Sequence, residues 1–183
     1  MIRLLLAAFL LLAVLPAHAT EAGWALLRDG GQVVLMRNAN APGAGDPPHF
    51  DIDNCATQRH LSDRGRQQAR RIGALFAARA APVGEVLTSR FCRCADTARL
   101  AFGTNVEPFP ALDFFPDDEA GQAARNAEVA ERALGYSGSD NLVMVTHAEV
   151  IEALVGVRAR EGEAIILSRT GQKLGVAGRI AFN

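Results

Sequence analysis

Val33-Val34-Leu35-Met36-Arg37-Asn38 and Leu142-Val143-Met144-Val145-Thr146-His147 are the two stretches that decide how this chain folds. Each is an unbroken apolar run that stops abruptly at polar side chains. A strand with one wet face alternates apolar and polar residues. A run without alternation reads as a strand buried on both faces, as in a parallel sheet covered by helices. Such sheets bind ligands beyond the carboxyl ends of their strands. Arg37, Asn38 and His147 are therefore expected to converge on one crevice.

Working outward, helical and extended patterns alternate. Glu21 to Arg28 reads as a short helix ended by Asp29-Gly30-Gly31, with Trp24 as a packing anchor. A polar stretch rich in Pro, Gly, Asp and Asn, from Asn38 to His60, reads as a long loop, and loops of this length are usually functional or mobile. Ser62 is a good N-cap, and Ala69, Ile72, Gly73, Phe76 and Ala80 recur behind it at helical spacing. Val86-Leu87-Thr88 predicts a second strand, Arg93 to Phe102 a helix, and Val106 to Phe109 a short edge strand interrupted by Pro108. Asp118 to Leu134 and Glu149 to Val155 predict two further helices. Ala164 to Leu167 and Val176 to Phe182, around a turn near Gly171, predict a closing hairpin. The sum is a three-layer α/β/α sandwich with a mostly parallel central sheet and a C-terminal hairpin.

Bulk properties narrow the function. Arg3, the apolar run Leu4 to Leu15, and Ala17-His18-Ala19 have the layout of a secretory signal with cleavage after Ala19. That run is shorter than the about 20 residues a spanning helix needs. The expectation is a signal peptide over residues 1–19, one domain over 20–183, a periplasmic or secreted location, and no stable membrane insertion after cleavage. The net charge is −1, and losing Arg3 makes it −2, which argues against a nucleic-acid partner. Three cysteines in an oxidising compartment favour one disulfide, Cys55 with Cys92 or with Cys94. No His or Cys follows Cys92-x-Cys94 at ligand spacing, so no metal site is expected.

Four blocks of residues carry a family resemblance. Leu35-Met36-Arg37-Asn38-Ala39 resembles the strand-end signature of the histidine phosphatase superfamily, the phosphoglycerate mutase-like fold, in which His follows the Arg. Leu61-Ser62, Gly65 and Gln68-Ala69 are similar to its helix pattern. Leu87-Thr88-Ser89, Arg93, Thr97 and Ala98 are similar to its second arginine motif, and Val145-Thr146-His147 to the strand bearing its second histidine. The blocks fall in family order over most of the domain. The resemblance implies that Arg37 and Arg93 grip phosphoryl oxygens through paired, charge-assisted hydrogen bonds. It implies that His147 stabilises transition-state charge, that no cofactor is needed, and that the ligand is a small phosphorylated molecule, with a sugar phosphate as the expected class.

Position 38 departs from the pattern. The nucleophile of the family is an imidazole with a free lone pair, whereas the Asn38 amide nitrogen has its lone pair delocalised into the carbonyl. Asn38 can bind an oxyanion but is not expected to accept a phosphoryl group. Losing a covalent nucleophile costs on the order of 10³-fold or more in rate, while binding persists. The expected protein is a phosphomonoesterase scaffold with weak or absent turnover; the alternatives are a non-catalytic phosphate-ester binder and a phosphatase using His147. By the same resemblance Asp113 is a candidate general acid, against the plainer reading of a loop carboxylate, with Glu149 a second candidate. His49 and His60 read as solvated loop histidines, Gly43-Ala44-Gly45-Asp46 as a turn, Arg70-Arg71 as a wet helix face, and Arg90 as a marginal substrate contact.

Overall fold

The computed structural model describes residues 15–182, so most of the segment read as an export signal lies outside the described residues. Helix α1 (Leu15–Asp29) leads into strand β1 (Val33–Arg37). The loop that follows holds a one-turn helix (Cys55–Thr57) before helix α2 (Asp63–Ala78). Strand β2 (Val83–Thr88), helix α3 (Cys92–Phe102) and the two-residue strand β3 (Glu107–Pro108) come next. Another single turn (Pro110–Leu112), helix α4 (Glu119–Leu134), strand β4 (Asn141–Thr146) and helix α5 (Ala148–Val155) follow. Strands β5 (Ala164–Thr170) and β6 (Lys173–Ile180) close the chain as an antiparallel hairpin.

The strands form one sheet in the order β3-β2-β4-β1-β5-β6. The first four positions pair in parallel, and β5 joins β1 antiparallel. This is the α/β architecture the alternation predicts. Successive side chains of a strand point to opposite faces, and the core divides accordingly. Val34, Met36, Val143 and Val145 pack under Trp24 of α1, Ile72 and Phe76 of α2, and Ala98 of α3. Val33, Leu35, Leu142 and Met144 pack under Val129 of α4 and Ile151 of α5. The proline-containing strand β3 lies at an edge, where a missing N–H costs no ladder bond.

The local signals explain the element ends. Ser62 Oγ accepts a hydrogen bond from Gly65 N at 3.0 Å and starts α2. Asp118 caps α4 in the same way, accepting from Gly121 N. At Gly30 the backbone has φ +71°, and a Cβ there would lie 2.3 Å from the Ser139 carbonyl oxygen, so only glycine fits this turn. One boundary differs from the periodicity: α2 ends at Ala78, and Ala80 takes a left-handed φ of 52°. The chain must turn there to deliver Ala81 into the core beneath Phe76, and the turn outweighs the modest strain of a left-handed alanine.

Cys55 and Cys92 form a disulfide across a separation of 37 residues, while Cys94 is a buried free thiol. Burial in the core pushes the Cys94 thiol up to about 12, so it stays protonated and inert. The bridge ties the long loop to the first turn of α3. Gln58 reinforces it by accepting from Cys92 N at 2.8 Å and donating to the carbonyls of Asp51 and Ile52. Replacing Cys55 and Cys92 together by serine is expected to lower the unfolding free energy by about 2–4 kcal/mol. Urea denaturation checks the loss, and thiol titration of the unfolded parent should find one free cysteine rather than three.

Candidate active site

The register of β1 against β4 builds the site. Arg37 pairs with Thr146, so the next residues, Asn38 and His147, leave the sheet side by side. Asn38 N donates to Thr146 O at 3.0 Å, which extends the pairing one step beyond the strands. On the other side of β4, Ser89 N donates to Val145 O at 2.9 Å, and the chain then turns into α3, which carries Arg93. Thr97 locks that helix to position 38's neighbour: its Oγ1 accepts from Ala39 N at 3.0 Å and donates to Arg93 O at 2.7 Å.

Arg37, Asn38, Arg93 and His147 line one cavity of about 210 Å³, together with Asp46, Arg59, Phe114 and Glu149. His147 is also the residue that precedes α5, so the positive end of that helix opens on the same cavity. Arg37 donates to Ala159 O at 3.0 Å and lies 3.9 Å from a Glu161 carboxylate oxygen. Arg93 is 4% exposed and stacks over the Phe91 ring with its guanidinium carbon 4.5 Å from the centroid. Arg59 donates to the carbonyls of Ala41 and Gly43, while its buried Nε has no hydrogen-bond partner among the described residues.

Two of these residues carry no sequence signal. Arg59 follows no motif spacing, and Asp46 reads as part of a glycine-rich turn. That turn brings the Asp46 carboxylate to Arg93 Nη1 at 3.0 and 3.1 Å, and to within 3.9 Å of Arg59 Nε. Asp46 is thus an internal counter-ion for the arginine cluster. Burial, then the Arg93 charge, hold the Arg59 guanidinium below the ordinary arginine value, with Asp46 opposing them.

The hydrogen-bond network fixes the tautomer of His147. An arginine can only donate, so the 3.2 Å contact from Arg93 Nη2 makes His147 Nδ1 an acceptor. Nε2 then carries the proton and donates to Ser89 Oγ at 3.0 Å, and the Ser89 hydroxyl donates to Asp113 Oδ1 at 2.8 Å. The lone pair of the imidazole is therefore engaged by Arg93. Asp113 does not line the cavity: it is fully buried behind Ser89, and also accepts from Arg90 N at 2.8 Å and Arg90 Nε at 2.7 Å. Glu149 does line it, with one carboxylate oxygen held by Arg158 at 2.8 Å. The Asn38 amide Nδ2 donates to Ala39 O at 2.9 Å, and the residue is 6% exposed.

Burial, followed by the charges of Arg93, Arg59 and Arg37, lowers the His147 proton affinity well below that of a free histidine. The ring is neutral at physiological pH. An unfolded histidine binds a proton near about pH 6.5, where the folded one does not. Stability should therefore be full above that pH and fall as pH drops below it, levelling only beneath the depressed folded value. His147→Gln is expected to flatten this acid-side decline, which thermal unfolding between about pH 7 and pH 5 would register.

Comparison with known proteins agrees with this geometry. Residues 48–113, which include Arg59 and Arg93, match the histidine phosphatase superfamily (branch 1). No curated protein matches the sequence significantly. Among solved structures, the alpha-ribazole phosphatase from Shigella flexneri is 19% identical, with a TM-score of 0.59 over 80% of this chain and 95% of its own. A phosphoserine phosphatase mutant from Entamoeba histolytica, in complex with phosphoserine, is 12% identical, with a TM-score of 0.61 over 83% of this chain and 98% of its own. The protein histidine phosphatase SixA, complexed with tungstate, is 16% identical, with a TM-score of 0.56 over 82% of this chain and 96% of its own. At such identities the likeness is one of fold. Over residues 48–113 the sequence is similar to the histidine phosphatase superfamily, and the fold is similar to that of these phosphatases.

Proposed function

We propose that this chain is an exported phosphate-ester-binding protein of the histidine phosphatase type, whose phosphomonoesterase activity is weak or absent because Asn38 stands where a nucleophilic histidine would. The observation that carries this reading is the neighbourhood of Asn38. Three guanidinium groups, a neutral imidazole and a helix N-terminus surround a small cavity, and the residue at its head is an amide. Guanidinium forks match the oxygens of a phosphoryl group. Arg59 Nε, which has no hydrogen-bond partner among the described residues and only the Asp46 carboxylate at 3.9 Å, gives the cavity a donor that an oxyanion would satisfy.

Asn38 contributes a donor and no nucleophile, so tight binding need not lead to bond cleavage. Attack by His147 would first require Nδ1 to leave Arg93, and the ring's lowered proton affinity marks it as a weak base. A role for Asp113 as acid is disfavoured by its burial and its three donors; Glu149, on the cavity wall, is the better placed carboxyl group. Export is supported by the N-terminal apolar run and by the Cys55–Cys92 bridge, since disulfides persist mainly in oxidising compartments. The sugar phosphate expected from the sequence rests on the family resemblance alone.

Restoring the nucleophile is the direct test. Asn38→His is expected to raise phosphate release by about 10³-fold or more over the chain as it stands. Equal, strong release by both proteins would show that position 38 is not the nucleophile position. Binding can be tested separately at Asp46, whose carboxylate competes with a ligand for Arg93. Asp46→Asn retains the oxygen that accepts from Arg59 N but removes the charge. It should tighten inorganic phosphate by about two- to tenfold in calorimetry, with a smaller gain at high salt.

A further inference from the structure

Beside the arginine cavity lies a second one of about 410 Å³, with a different chemistry. Phe50, Phe91, Phe114 and Phe115 line it, and it shares Asp46, Phe114 and Pro116 with the arginine site. Four of the chain's nine phenylalanines gather here, far more than an ordinary loop rim would collect. Phe50 stacks on Phe91 at 5.1 Å between centroids, and Phe115 packs against both at 6.4 and 5.5 Å. Phe114 leans toward His147, with centroids 6.4 Å apart.

The wall is held in place from behind. Asp113, immediately before Phe114, is anchored by Ser89 and by both the backbone and side chain of Arg90. Phe91 is buried against the His147 ring, edge-on at 4.8 Å. An aromatic surface fixed this firmly next to a charged site is not a collapsed loop. Its carboxylates, Asp46, Asp117 and Asp118, form no metal-ligating cluster among the described residues, and Asp46 is engaged by Arg93 and Asp118 by Arg125.

Resting on the phosphate reading of the arginine cavity, we propose that this aromatic cavity is the leaving-group subsite, and that the preferred ligands are phosphate monoesters of an alcohol or phenol bearing a flat apolar ring. The ring would lie among the phenylalanines while the phosphoryl group meets Arg37, Arg59 and Arg93. This places an apolar substituent, rather than a polyhydroxylated sugar, on the ester oxygen. A sugar would leave its hydroxyls without partners against an aromatic wall.

Calorimetry on the whole protein decides it, using inorganic phosphate, glycerol 1-phosphate, phenyl phosphate and 2-phenylethyl phosphate. At least one ring-bearing ester should bind about tenfold or more tightly than glycerol 1-phosphate. Phe115→Ala should weaken that ester about tenfold more than it weakens inorganic phosphate, and Phe50→Ala should do the same if Phe115→Ala does not fold. If phosphate binds but the ring-bearing esters gain nothing over glycerol 1-phosphate, the aromatic subsite is overturned and the phosphate reading stands. A gain that survives both phenylalanine variants also overturns the subsite. If none of the four ligands binds, both readings fall.

Discussion

The parallel pairing of β1 with β4 is the constraint on which the rest of this molecule depends. Each strand is buried on both faces, so neither can slip by one residue without turning an apolar set toward the wrong layer. The register that satisfies the core also sets Arg37 opposite Thr146 and sends Asn38 and His147 out of the sheet together. The Asn38 N–H to Thr146 carbonyl bond continues the ladder into the site. Packing in the core thereby specifies the position of polar side chains that contribute little to packing themselves.

The electrostatics of the cavity follow from that crowding. Like charges a few ångströms apart repel by about 4 kcal/mol at an effective dielectric of 20. Arg37, Arg59 and Arg93 therefore coexist only because carboxylates face them: Glu161 near Arg37, and Asp46 against Arg59 and Arg93. The same field makes a further positive charge on His147 unfavourable, and the imidazole stays neutral. Neutrality gives the ring one acceptor and one donor. The acceptor orients Arg93, and the donor leans on Ser89, which leans on Asp113. A buried chain of hydrogen bonds of this kind holds His147 and Arg93 in one geometry.

Much of this was legible in the residues. Apolar runs at 33–36 and 142–145 marked the central strands, Ser62 and Gly30 marked helix ends, and the polar residues at 37, 38 and 147 marked the crevice. These signals are local: each depends on neighbours within a turn or a strand. Arg59 and Asp46 were not legible, because their roles arise from contacts with α3 made possible only when the long loop folds back and is tied by Cys55 and Cys92. Asp113 likewise looked like a loop carboxylate or a free acid. Its pairing with Arg90 and Ser89 depends on how the segment after β3 crosses the end of β2, which no periodicity encodes. The gathering of Phe50, Phe91, Phe114 and Phe115 joins three separate segments and left no pattern in any one of them.

Position 38 shows how the scaffold accommodates an amide at the end of β1. The amide donates to the Ala39 carbonyl, its backbone bonds to Thr146 and Gly162 are intact, and it leaves no orphaned polar group in a nearly buried position. Nothing in the fold resists the residue. The residue at this position bears on the use of binding energy. Arginine contacts made equally in the bound ester and in the transition state lower the ligand's dissociation constant without raising the rate. With an imidazole at position 38, a new bond to phosphorus would let those contacts strengthen as charge redistributes. On the function proposed above, an amide forms no such bond, and the preorganised cations serve recognition alone.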